Sequence, residues 1–230
     1  MERAGLPWRG LWRRNYDVVM PDARGHGKSS SPDHGYLYDD LAADVMSLID
    51  VLGLAKPVLL GHSMGGMTAA VVASRNPKRL QGLVLADPTF LKPQRQREVY
   101  ESDVADQHCR ILSRPRQDLL VEMQGRHSHR SREIIELFVQ ARFQTSIRAF
   151  KVLTPPNPDY MQLITTLDVP SLLVVGDVGS VVTIEIAEQL AGLNQHLQVV
   201  QIEKAGHGVP FDQPERFSAF VQTFLRSVMD

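Results

Sequence analysis

In the run Val58-Leu59-Leu60-Gly61-His62-Ser63-Met64-Gly65-Gly66, one serine has a glycine two positions away on each side. Aliphatic residues precede it and the alanine-rich Thr68-Ala69-Ala70 follows. A G-x-S-x-G between a strand and a helix points to nucleophilic chemistry, because the tight turn strains the serine and holds its hydroxyl out at the C-terminal edge of a sheet. Glycines at the second positions are expected to let strand and helix approach closely. The helix beyond offers N–H groups and its dipole to a developing negative charge, with the Met64 N–H as the expected first oxyanion donor.

A serine hydroxyl is a weak nucleophile at neutral pH and needs a general base. His207, in Lys204-Ala205-Gly206-His207-Gly208 after the last aliphatic run, is the expected base. His26, in Arg24-Gly25-His26-Gly27, is the competitor and is expected to shape a turn. His62 adjoins the nucleophile but points elsewhere, and is assigned to substrate binding with unidentified residues of the helical insertion described below. His127 and His129 form an H-x-H pair in a basic loop, which alone is weak evidence for a metal.

These groups need a scaffold. Short aliphatic runs recur at Tyr16–Met20, Val58–Leu60, Leu83–Leu85 and Leu172–Val175, with a half-alternating run at Leu197–Ile202. Continuous aliphatic runs predict strands buried on both faces, as in a parallel sheet covered by helices. Helical spacing lies between them: Leu41, Val45, Leu48, Ile49 and Leu52 before Gly53, then Thr68–Arg75 up to Asn76-Pro77, Ile184–Leu193, and Pro214–Met229. The class is therefore α/β with a mainly parallel sheet. Residues 90–166 break the alternation: no strand is evident and apolar residues such as Ile134, Ile135, Leu137, Phe138 and Phe143 recur at helical spacing. They read as a helical insertion closed by Thr154-Pro155-Pro156-Asn157-Pro158, with residues 1–89 and 167–230 forming the core.

At 230 residues, 43% hydrophobic and 22% charged with a net charge of −1, the chain has the composition of one globular domain, or one domain with an insertion. The balance gives no reason to expect nucleic-acid or membrane-surface partners. Cys109 is the single cysteine, so no intrachain disulfide and no cysteine metal cluster form. The first residues lack an apolar stretch of signal-peptide length, and a cytoplasmic location is expected.

Taken together, the motifs resemble the α/β-hydrolase fold superfamily nearly end to end. Asp22-Ala23-Arg24-Gly25-His26-Gly27-Lys28-Ser29 is similar to the loop after that family's fourth strand. Gly61–Gly66 is similar to its nucleophile elbow, and Leu83–Pro88 to its sixth strand and the turn after it. Ser171–Asp177 resembles its seventh strand, and Ala205–Phe217 its histidine loop and final helix. The resemblance implies a helical cap at about residues 90–166.

Two departures stand out. The family's triad acid typically follows the seventh strand as G-x-x-D, but here the run is Gly176-Asp177-Val178-Gly179. Asp87, at the end of the sixth strand, matches the acid site of some relatives, including certain haloalkane dehalogenases, and is the favoured acid; Asp177 is the alternative. The second departure is that no H-G-type loop, the family's source of the second oxyanion N–H, precedes Tyr16. The Arg24–Gly27 backbone or water is the expected substitute, and weak activity is expected because losing one donor costs about 10²–10³ in rate. The strand that normally separates the fourth and fifth is also missing. Either Asp17–Met20 pairs directly with Val58–Leu60, or a second chain covers the opening in a homodimer, or the chain is a truncated form.

The resemblance implies a serine hydrolase acting on small-molecule carboxylic esters through Ser63, His207 and Asp87, a mechanism that calls for no cofactor or metal. Lactone-opening, C–C-cleaving and haloperoxidase-like reactions use the same triad, whereas a dehalogenase would need an acidic nucleophile at position 63. A non-catalytic ligand-binding member of the fold is the alternative from another class.

Overall fold

The structure is a computed structural model and describes Trp12 and residues 15–229. Four of the aliphatic runs are strands: β1 (Val58–His62), β2 (Gly82–Ala86), β3 (Ser171–Gly176) and β4 (Leu197–Ile202). They form one parallel sheet in the order β1-β2-β3-β4, with Leu60 beside Val84, Leu85 beside Leu173 and Val174 beside Val200. Every residue of β2 and β3 is buried, which is why these strands read as unbroken aliphatic runs. The outer strands differ: β4 exposes Gln198 and Gln201, and Leu60 of β1 is 39% exposed.

The run Tyr16–Met20 is not a strand. No strand among the described residues pairs with it, and Val19 and Met20 are exposed. Extended backbone needs a ladder partner for its N–H and C=O groups, and β-forming side chains do not replace one. Among the described residues β1 pairs with β2 alone.

The chain divides into two compact units, one of residues up to 37 with Pro93–Pro156, the other of Tyr38–Lys92 with Asn157–Asp230. The second carries the sheet. It also holds α1 (Tyr38–Val51) and α2 (Met64–Arg75). The first holds α3 (Pro93–Glu101), α4 (Val104–Leu112), α5 (Arg116–Arg126) and α6 (Arg132–Phe143), then a 3₁₀ stretch at Ile147–Leu153. Back in the sheet unit lie α7 (Tyr160–Thr165), α8 (Ile184–Leu193), the one-turn α9 (Val209–Asp212) and α10 (Pro214–Met229).

Residues of the N-terminal loop group with Pro93–Pro156. The reason is local hydrogen bonding: Ser146 N–H donates to Gly25 O at 2.7 Å, Gly27 N–H to Gln144 O at 2.8 Å, and Lys151 Nζ to Asp33 O at 2.7 Å. Arg148 adds an ion pair to the Asp33 carboxylate at 2.7 Å. In α6 the buried face is Ile134, Ile135 and Val139, an i, i+1, i+5 pattern on one side of the helix.

In the sheet unit, α2 is buried from Gly66 to Ala73 and built from small residues, as a helix covered on most sides requires. It ends at Asn76-Pro77, since proline cannot continue the ladder. Among the described residues no helix is long and apolar enough to cross a membrane.

Candidate active site

Ser63 sits at the junction of β1 and α2 with φ 54° and ψ −120°. A side chain held at positive φ is strained by about 1–3 kcal/mol, so the surrounding structure must enforce it. Four backbone bonds do so. Ser63 N–H donates to Ala86 O at 3.1 Å, and Ser63 O accepts from the N–H groups of Gly66 (2.9 Å), Met67 (3.1 Å) and Thr89 (3.2 Å). Thr89 is itself held, its hydroxyl 2.8 Å from that of the buried Tyr38.

The glycines divide the work differently from the motif. A Cβ at Gly61 would lie 2.1 Å from Gly65 O, so this glycine is indispensable to the crossing. A Cβ at Gly65 would meet nothing within 4 Å. The second tight position is Gly66, where a Cβ would come within 2.8 Å of Pro88 Cβ.

His207 lies in the loop between β4 and α9, with Ser63 Oγ 2.9 Å from its Nε2 and Asp87 Oδ2 2.7 Å from its Nδ1. A carboxylate accepts and does not donate, so Nδ1 carries the proton and Nε2 is left to accept from the Ser63 hydroxyl. Asp87 directly follows β2, has φ 37°, and is fully buried. Besides His207 it accepts Val181 N–H on Oδ2 at 2.9 Å and Val182 N–H on Oδ1 at 2.8 Å. Three donors on one buried carboxylate compensate its lost hydration. The loop after β3, which would carry the acid in the usual pattern, instead supplies the two backbone donors that orient Asp87.

Asp177 is placed elsewhere. It is exposed and accepts Ala205 N–H at 3.1 Å. Hydrogen bonding from the Lys204 backbone, and then from Ala205, holds its carboxyl below the ordinary range. His62 directs Nε2 to the carbonyl oxygen of His207 at 2.7 Å. His26 shapes its turn, Nδ1 lying 3.0 Å from Arg24 O and its backbone bridging to Thr145.

The Met64 and Gly65 N–H groups precede the first intrahelical bonds of α2, the geometry that leaves helix N-terminal donors for an anion. The Arg24–Gly27 backbone is largely occupied. Gly25 N–H donates to Ser30 O at 2.9 Å, His26 N–H to Ala23 O at 2.9 Å, and Gly27 N–H to Gln144 O at 2.8 Å. Three of the four groups expected as a substitute oxyanion donor thus already have acceptors. Among the described residues no group of three or more His, Cys, Asp or Glu side chains is gathered to hold a metal ion.

Residues 8–214 match the family model described as alpha/beta hydrolase fold. The chain belongs to that family. N-formylmaleamate deformylase of Pseudomonas putida is 30% identical over 215 residues, 91% of this chain and 79% of that protein. 3-Oxoadipate enol-lactonase 1 of Acinetobacter baylyi is 25% identical over 95% of this chain and 85% of its own length. A thermophilic esterase from Thermogutta terrifontis, solved with malate bound, superposes with a TM-score of 0.79 at 29% identity, covering 96% of this chain and 84% of the esterase. The alpha/beta hydrolase relatives thus include proteins named for cleaving an N-formyl amide, an enol-lactone and an ester.

Proposed function

We propose that this protein is a serine hydrolase that cleaves small carboxylic esters through an acyl-enzyme. The observation that carries the reading is the continuous chain from Ser63 Oγ through the His207 imidazole to Asp87. Ser63 Oγ attacks the ester carbonyl carbon while its proton passes to His207 Nε2. The resulting oxyanion is met by the Met64 N–H, and Asp87 stabilises the imidazolium. Collapse breaks the bond to the leaving alkoxide, which takes the proton from Nε2. Water then repeats the path, releasing the acid and restoring the Ser63 hydroxyl. The N–H groups at 25, 26 and 27 are engaged with other acceptors, so the second oxyanion partner is another donor or a water molecule.

The acyl portion is expected to carry a carboxylate. Residues 92–151 hold twelve Lys and Arg against eight Asp and Glu, and this helical segment, acting as a cap, would set substrate size and charge. The deformylase, enol-lactonase and malate-bound esterase relatives are in keeping with small acidic substrates. Cleavage of an N-acyl amide is the second reading, favoured by the 30% identity to the deformylase. The same acyl-enzyme serves it, with an amine in place of the alcohol. A cytoplasmic location belongs to the same proposal.

The test is hydrolysis of aryl monoesters of succinic and glutaric acid beside neutral p-nitrophenyl esters and N-formyl amides, with Ser63→Ala as control. Turnover lost in Ser63→Ala supports the reading, and preference among the three groups ranks the substrate classes. Native turnover equal to that of Ser63→Ala on all three, with no labelling by a fluorophosphonate, defeats it.

A further inference from the structure

His62, the last residue of β1, directs its side chain at the loop that carries the base. Its Nε2 lies 2.7 Å from the backbone carbonyl oxygen of His207. A carbonyl only accepts, so Nε2 carries the proton and donates. The two imidazole rings are 4.9 Å apart and tilted by 38°, and the His62 ring meets Phe211 edge-on at 5.7 Å. The neighbours of His207 are fixed by other groups. Gly206 N–H donates to Asp212 at 2.9 Å, and the carbonyl of Ala205 accepts from Asp177 and Val178 N–H at 3.0 and 3.1 Å. The carbonyl of Lys204 accepts from Gln213 at 3.1 Å. The bond from His62 holds the backbone of His207 itself.

We propose that His62 is a positioning residue that locks the base onto the nucleophile, an inference that rests on the serine-hydrolase reading. Four links close a small ring. The 62–63 peptide bond leads to Ser63 Oγ, across 2.9 Å to His207 Nε2, through His207 to its carbonyl, and back across 2.7 Å to His62. Because residues 62 and 63 are bonded neighbours, a drift of the His207 backbone away from Ser63 stretches the His62 bond as well. The base takes a proton from Ser63 and later delivers it to the leaving group, so its place must survive the whole cycle. A misplacement of about 1 Å between reacting groups costs about 10²-fold in rate. His62 is therefore assigned to the geometry of the proton transfer and not to substrate binding.

The test compares His62→Gln, which can present a side-chain N–H to the same carbonyl, with two variants lacking a donor. His62→Phe keeps a ring against Phe211, and His62→Met matches glutamine in length. The readouts are kcat and KM on an ester, the rate of fluorophosphonate labelling of Ser63, and Tm. Both donorless variants are expected to lose about 10- to 100-fold in kcat and in labelling rate, with KM within about threefold of native. His62→Gln is expected to recover kcat to within about threefold of native at the same Tm. Donorless variants with native kcat, equal losses in glutamine and methionine variants of matching Tm, or a raised KM at unchanged kcat would each overturn the inference. Should His62→Phe fail to fold, the glutamine–methionine pair decides. A native protein that neither hydrolyses nor labels removes the serine-hydrolase reading and this inference with it. A labelled native protein matched by the donorless variants overturns the inference alone.

Discussion

Replacing Asp87 by asparagine exchanges one carboxylate oxygen for an NH₂ group and should do two separable things. The native carboxylate accepts from His207, Val181 and Val182 and sits fully buried. Asparagine has one acceptor oxygen and one NH₂ group. If the oxygen stays on Val182 N–H, the NH₂ group faces two donors, Val181 N–H and His207 Nδ1–H. His207 escapes the clash by moving its proton to Nε2, and Nε2 can then no longer accept from Ser63. Loss of the correct tautomer costs about 10⁴ in kcat, or roughly 5 kcal/mol of barrier. Val181 N–H has no such escape, and a buried donor left without an acceptor costs about 1–3 kcal/mol of stability. The assay is the initial rate of ester hydrolysis beside denaturant unfolding of the same preparation. Asp87→Asn is expected to be folded, less stable by about 2 kcal/mol, and nearly inactive. Asp177→Asn is expected to keep activity within about threefold of native, since Asp177 engages the Lys204–Ala205 backbone. An Asp87→Asn enzyme within tenfold of native kcat, or a greater loss in Asp177→Asn, would refute this reasoning.

Three further outcomes are expected. Gly65→Ala should leave activity intact and raise stability by about 0.5–1 kcal/mol in thermal unfolding, because its Cβ meets nothing and alanine favours the helix, whereas Gly61→Ala should not yield active protein. Burial raises the Tyr38 pKa above its usual value of about 10, the bond to Thr89 opposing only in part, so the unfolded chain ionises first. This residue's ionisation costs no stability below about pH 10 and destabilises the fold as pH rises through the folded value, so Tyr38→Phe should be flatter in its alkaline unfolding curve; at neutral pH it should be less stable because Thr89 loses its hydroxyl partner. For Asp177 the sign is opposite: its lowered pKa makes a contribution that is present above about pH 4 and lost as pH falls through the folded value, so native and Asp177→Asn should converge in Tm under acid.

The sheet was legible because β2 and β3 are buried on both faces and therefore carry nothing but aliphatic residues and small ones. The helix α8 was legible to the residue because its pattern is bounded by the capping Thr183 and by Asn194. The run Tyr16–Met20 has the same local chemistry as a strand, but no strand among the described residues pairs with it, and no local pattern records a partner. Likewise the N-terminal loop groups with the helical unit through backbone carbonyls at Gly25, Asp33 and Gln144, and carbonyls are common to every residue type. The meeting of Ser63 with His207 could be anticipated because serine in G-x-S-x-G and histidine after the last strand stand out by type and context. The His62 bond to His207 joins positions 145 apart through a main-chain oxygen and left no trace in residue types. The tight role of Gly66 was hidden for a related reason, since its obstacle, Pro88, lies on another element.

The two N–H groups that hold Asp87 come from the main chain of Val181 and Val182. The hold on Asp87 therefore depends on the backbone path through 181 and 182 and not on hydrogen bonding by their side chains, with proline at 181 or 182 the one substitution that deletes a donor outright. The exposed side chain of Val178 in this loop can change, by mutation or by design, without touching the hydrogen bonds of Asp87. The position two residues past Gly176 thus becomes open to diversification, while Ser180 stays tied to Gly176 N–H.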